Sequence, residues 1–163
     1  MINIRYGLYE TNSSSVHCLV IPKDTNLYIP KRVHLTGGEY GWEFGSEGDT
    51  INYIYQACVD KGREEVERFI DYLKSKGVEE IDCPELRWKQ SEYTEGYEYA
   101  ENNPGYIDHG YEIPLNDLFA NENLLDRFLF GGGWVDTGND NSDDPPDEDD
   151  YDHDKYDVIE KGN

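Results

Sequence analysis

Three serines, Ser13, Ser14 and Ser15, stand just ahead of His17 in the run ETNSSSVHCLVI. By residue type they offer a hydroxyl nucleophile and an imidazole base. Their spacing argues against a pair formed within the run. On a strand, side chains at i and i+2 share a face but stand about 7 Å apart, beyond the roughly 2.6–3.2 Å of a proton transfer. No G-x-S-x-G elbow is present to supply an oxyanion hole. The serines are therefore expected to shape a turn, with His17 on the outgoing strand.

A second concentration of chemistry is acidic. The run DTGNDNSDDPPDEDD, residues 136–150, crowds hard oxygen donors suited to calcium or magnesium, but it lacks the ligand order and central glycine of an EF-hand loop. Weak attraction of a divalent cation stays open; a structural metal site is not expected, nor is any other cofactor. His17, Cys18, His34, Cys58, Cys83, His109 and His153 show no zinc-ligand spacing. The three cysteines are odd in number and form no C-x-x-C pair, which reads as buried thiols in a reducing, cytosolic setting. FGGGW, residues 130–134, lacks the lysine and hydroxyl of a phosphate-binding loop and reads as a helix terminator. Carboxylates are too numerous for two to be singled out as acid and base, so an enzyme is not the expectation.

What the composition does specify is charge. Thirty-six acids against fourteen bases give −22, far beyond the needs of solubility and costly to the compact state through self-repulsion. Residues 136–163 carry −10 of it, leaving −12 on the first 135; the acidity is not confined to a tail. Direct nucleic-acid binding is disfavoured, because phosphate contacts need cations. No apolar run approaches a membrane span, and a secretory leader is not expected from the opening residues. A basic protein surface is the natural partner.

Glu92, Glu95, Glu98 and Glu101 recur at every third position, interleaved with Tyr93, Tyr97 and Tyr99. An extended chain would put the tyrosines on one side with Glu95 and Glu101, and Glu92 and Glu98 on the other. A helix would space the acids about 4.5 Å apart along a drifting stripe. Gly96 favours the extended form. Either way the carboxylates approach the charge density of a nucleic-acid backbone. The expected partner-binding residues are these seven, with Asp143, Asp144, Asp147, Glu148, Asp149 and Asp150 of the acidic run.

The elements that must position these groups follow from pattern. INIRYGLY alternates at period two and 16–21 is a nearly unbroken apolar run, so two strands joined through the serine turn are expected. Residues 27–35 alternate around Pro30, as an edge strand would. Asp49 or Thr50 should cap a helix over 50–61 that Gly62 stops. A second helix over 63–76 has acids in its first turn, lysines in its last and Gly77 beyond. VEEIDCP reads as a short strand. A third helix spans 115–130 with a break near Asn121. Residues 136–154 should be loop, with YDVIE as a small terminal strand. The expectation is an α+β fold: an antiparallel sheet from an N-terminal hairpin and short later strands, packed by about three helices. Residues 1–135 form the acidic domain and 136–163 an acidic loop or tail.

The run RYGLYETNSSSVHCLVI resembles the recurring opening of a family of small bacteriophage proteins with an N-terminal ETNSSSxH motif and a C-terminal GNDN segment. FLFGGGWVDTGNDN is similar to the second of these. The resemblance transfers no catalytic residue; it implies a phage origin and a host cytoplasm setting. By class-level analogy it implies a non-enzymatic inhibitor that mimics nucleic acid in the basic groove of a host nucleic-acid-handling or defence protein, of restriction or CRISPR type. The alternatives are a phage assembly or virion-associated interaction protein, with more apolar contacts, and a small phage enzyme with an unrecognised site. Whether two copies pair as a homo-oligomer stays open.

Overall fold

The computed structural model describes residues 15–41, 45–108, 110–139 and 145–161. In chain order these form β1 (Ser15–Pro22), β2 (Arg32–His34), β3 (Glu39–Tyr40), β4 (Gly45–Glu47), α1 (Thr50–Lys61), α2 (Arg63–Lys76), β5 (Glu80–Asp82), β6 (Trp88–Gln90), β7 (Glu98–Ala100), β8 (Tyr106–Ile107), α3 (Leu115–Ala120), α4 (Glu122–Phe130), β9 (Trp134–Asn139) and β10 (Tyr156–Lys161). The fold is α+β, as expected. Its main sheet runs β10-β1-β9-β4 and is antiparallel throughout. The first strand of the expected N-terminal hairpin, with Ser13, Ser14, Trp42, Phe44, His109, Asp143 and Asp144, lies outside the described residues.

Strand β1 is apolar without alternation because both of its faces are covered. Leu19 and Ile21 enter the main core with α1, α2 and α4, while Val16, Cys18 and Val20 pack outward against Trp134, Tyr151, Tyr156 and Val158. Residues 136–139, expected as loop, instead continue β9, one strand in from the sheet's edge. Asp136 is tolerated there because Trp134 Nε1 and Tyr151 Oη donate to its Oδ2 at 2.9 and 2.7 Å. The terminal strand forms as expected, in the longer β10, and flanks β1.

The helices begin and end on their punctuation. The Asp49 carboxylate accepts from Asn52 N at 3.2 Å, and Gly62, at φ 131°, separates α1 from α2. Gly77 sits at φ 101°; Gly77 N donates to Lys74 O and Val78 N to Leu73 O, a Schellman stop in which Val78 and Leu73 share the core. Asn121 divides 115–130 into α3 and α4, its side chain accepting from Leu124 N at 3.2 Å. The expected strand at 27–35 shrinks to β2. Val33 and Leu35 are buried and Ile29 packs against the core while Tyr28 is exposed, so the alternation marks a real buried face, but Pro30 has no N–H for a ladder.

One polar face of α1 holds two loops. Asn52 accepts from Thr36 N and Gly37 N at 2.8 and 3.1 Å and donates to His34 O at 3.0 Å. Gln56 accepts from Gly38 N at 3.2 Å and donates to Asn103 Oδ1 at 2.8 Å. Asp60 accepts from Asn103 Nδ2 and Ile107 N, both at 2.9 Å. Positions 52, 56 and 60 are one helical stripe, and it clamps residues 34–38 and 103–108. The two loops meet backbone to backbone at Gly105, where a Cβ would fall 2.1 Å from Gly38 O.

Tyr55 is fully buried, and its hydroxyl finds no hydrogen-bond partner among the described residues. A buried hydroxyl left unpaired costs about 1–3 kcal/mol. Tyr55→Phe is therefore expected to stabilise the fold by about 1 kcal/mol, read as a higher denaturant midpoint at unchanged slope.

Candidate functional site

The glutamate and tyrosine segment is neither a continuous extended ladder nor a helix. It is a β-hairpin, β6 pairing antiparallel with β7 through Trp88–Ala100, Lys89–Tyr99 and Gln90–Glu98. Ser91 sets the turn: its Oγ accepts from Tyr93 N and Thr94 N at 3.2 and 3.1 Å, and Gly96 takes φ 78°. Gly96 thus breaks the extended run that its presence had favoured. The positive φ suits a turn residue, and a Cβ is absent where one would be strained.

This geometry separates the four glutamates. Glu101 lies between Lys89, which donates to its Oε1, and Arg87 Nε at 3.3 Å. The Lys89 hydrogen bond first, then Arg87, holds the Glu101 carboxyl below its ordinary range. Glu98 accepts from Gln90 Nε2 at 2.7 Å and faces Arg63 Nε at 3.5 Å. Glu92 and Glu95 at the tip have no ion-pair partner among the described residues. Tyr93 between them is 97% exposed; Tyr97 and Tyr99 are part-covered at 40% and 41%. Tyr97 Oη donates to Asp60 O at 3.0 Å, fixing the hairpin to the end of α1.

The second acidic stretch lies on another side of the fold. Asp147, Glu148, Asp149 and Asp150 form a short 3₁₀ turn, in which Asp149 N donates to Asp147 Oδ1 at 2.8 Å and Asp147 N to Asp150 Oδ2 at 3.0 Å. Tyr151, next in the chain, packs on the outer face of the sheet with Val16, Cys18 and Val20. The hairpin instead packs on α1 and α2, beyond the inner face. The sheet therefore stands between the two acidic segments, and they do not form one strip. Among the described residues no group of three or more His, Cys, Asp or Glu side chains could hold a metal ion. Cys18 and Cys58 are buried, but Cys83 is exposed, contrary to the expectation of buried thiols. Burial pushes the Cys18 thiol up to about 12.

A third cluster was not legible in the sequence. On the inner face of the sheet the apolar positions Leu19, Ile159 and Val135 give way at one end to His17, Lys161 and Thr137, which are direct cross-strand neighbours. All three are buried, as is Ser15. Ser15 Oγ lies 3.2 Å from Lys161 Nζ, and Lys161 Nζ also donates to the carbonyl of Asp108. His17 Nδ1 lies 2.8 Å from Tyr53 Oη. Ser15 and His17 thus take separate partners, as their spacing on one strand requires. The Ser15–Lys161 contact joins residues 146 positions apart, which only the register of β10 on β1 reveals. Desolvation by burial pulls the Lys161 amine down to about 8, against the weaker pull of Glu112 and Asp108.

Among the described residues no helix is long and apolar enough to cross a membrane. Comparison of the chain with protein-family models, curated proteins and solved structures yields no match.

Proposed function

We propose that this protein acts by binding: it inserts the tip of the β6–β7 hairpin into the basic groove of a host nucleic-acid-handling or defence protein and occupies it as a charge mimic. The setting is the cytoplasm of a phage-infected host, and the restriction and CRISPR nucleases are the target class. One observation carries this reading. Glu92 and Glu95 have no cation partner among the described residues and flank Tyr93, whose ring is 97% exposed, whereas Glu98 and Glu101 at the hairpin's base are met by Arg63, Arg87 and Lys89. Net attraction is thereby concentrated at a protruding turn. An exposed tyrosine gives a flat face for arginine stacking and a hydroxyl for hydrogen bonds.

The same surface bears on the assembly-factor alternative. A partner recognised by apolar contacts needs exposed aliphatic side chains, and among the described residues the large exposed apolar side chains are Leu27 and five tyrosines. That favours a cationic partner. The reading is tested by capturing the partner from host lysate at low salt and challenging the complex with duplex DNA. Release by DNA supports it; a complex indifferent to both salt and DNA overturns it.

A further inference from the structure

The polar end of the sheet plays no part in binding through the hairpin, and the fold alone does not call for it. An aliphatic residue at 161 would extend the inner row of Leu19, Ile159 and Val135, whereas a buried amine carries a desolvation cost. Places where a sequence breaks its own core pattern are where function is to be sought.

We propose that Ser15 is a nucleophile activated by Lys161, forming an acyl-transfer site at the polar end of the main sheet. Three observations support the assignment. The hydroxyl and the amine are 3.2 Å apart, within reach of proton transfer once aligned. The Asp108 carbonyl accepts from Lys161 and lies 3.4 Å from Ser15 Oγ, so both groups are oriented by one backbone atom. Glu112 and Asp108 favour the charged amine, but burial outweighs them and draws Lys161 down to about 8. A lysine amine in that range can serve as a general base. The titratable groups facing the pair are His17 across the ladder, Tyr53 from α1 bonded to His17, and Asp108 and Glu112 from the segment after β8.

The chemistry balances without a cofactor. Ser15 Oγ–H gives its proton to Lys161 Nζ as Oγ attacks the carbonyl carbon of an ester or amide. The new C–O bond forms, the bond to the leaving group breaks, and the leaving group takes the proton from the ammonium. Water, deprotonated by the same amine, then cleaves the Ser15 ester and restores the hydroxyl. Because Ser15 and Lys161 are both buried, the acyl group enters through local opening of this end of the sheet, which costs less than global unfolding.

The test uses the full chain and diisopropyl fluorophosphate, in which phosphorus replaces the acyl carbon and fluoride is the leaving group. The expected result is one adduct, placed on Ser15 by peptide mass spectrometry and absent from Ser15→Ala. Its rate should rise with pH through about 8 and fall about 100-fold in Lys161→Met. Lys161→Arg retains a cation that cannot accept the proton and should be slowed equally, which guards against misfolding of the methionine variant. No adduct on Ser15, or a wild-type rate in either lysine variant, would overturn the proposal and leave Lys161 as a structural clamp.

Discussion

Reversing charge at the hairpin tip, Glu92→Lys together with Glu95→Lys, is expected to weaken partner binding by about 100-fold. In the proposed binding mode each substitution replaces an attraction with a repulsion inside a cationic groove, and a tenfold loss per site needs only about 1.4 kcal/mol. The fold should be untouched, because both residues are exposed and neither pairs with a cation among the described residues. Tyr93→Ala should add a further loss, since buried tyrosine anchors dominate interface energies. Glu101→Gln is the informative contrast. Its carboxylate is engaged by Lys89 and Arg87, so it contributes little net field and its loss should change binding far less. Titration of the purified partner by calorimetry would check the series; equal effects at Glu101 and at the tip would show that total charge, rather than the turn, is what the partner reads.

The second large effect is on stability. Lys161 carries an ordinary lysine pKa near 10.5 when unfolded and about 8 when folded. The folded value is depressed, so the stability linked to this group is fully present above the unfolded pKa and is lost as pH falls through about 8. The shift corresponds to about 3 kcal/mol. Lys161→Met removes it, so the stability gap between variant and wild type should move by about 2.5 kcal/mol in the variant's favour between pH 10 and pH 7. Tyr53, Tyr40, Cys18 and Cys58 are all pushed up by burial; they favour folding at lower pH and oppose this trend in the wild type. They are common to both proteins, so the difference isolates the lysine. Parallel denaturation profiles over that range would mean that the amine is not held in a desolvated site.

The parts of this structure that were legible in the sequence are those specified by neighbours along the chain. Asp49, Gly62, Gly77 and Asn121 act within a few residues, through caps and positive-φ stops, and each ends or begins a helix where its chemistry dictates. The parts that were not legible depend on pairing at a distance. Asp136 reads as the start of an acidic loop, and only Tyr151 and Trp134 reaching it make it a strand residue. The glutamates at 92–101 share a spacing but not an environment, because Ser91 and Gly96 fold the segment back and bring Lys89 and Arg87 against Glu101. The acidic turn at 147–150 belongs with the hairpin by composition, yet the sheet stands between them. Lys161 shows nothing of its role until β10 is laid beside β1.

The most direct test of the binding account is competition on the captured partner. With labelled duplex held by that protein, increasing amounts of this chain should displace the duplex completely, and the midpoint should shift about 100-fold for the Glu92→Lys, Glu95→Lys variant. Mutual exclusion is the predicted result. A ternary complex, in which partner, duplex and this protein are held together, would contradict occupation of the nucleic-acid groove.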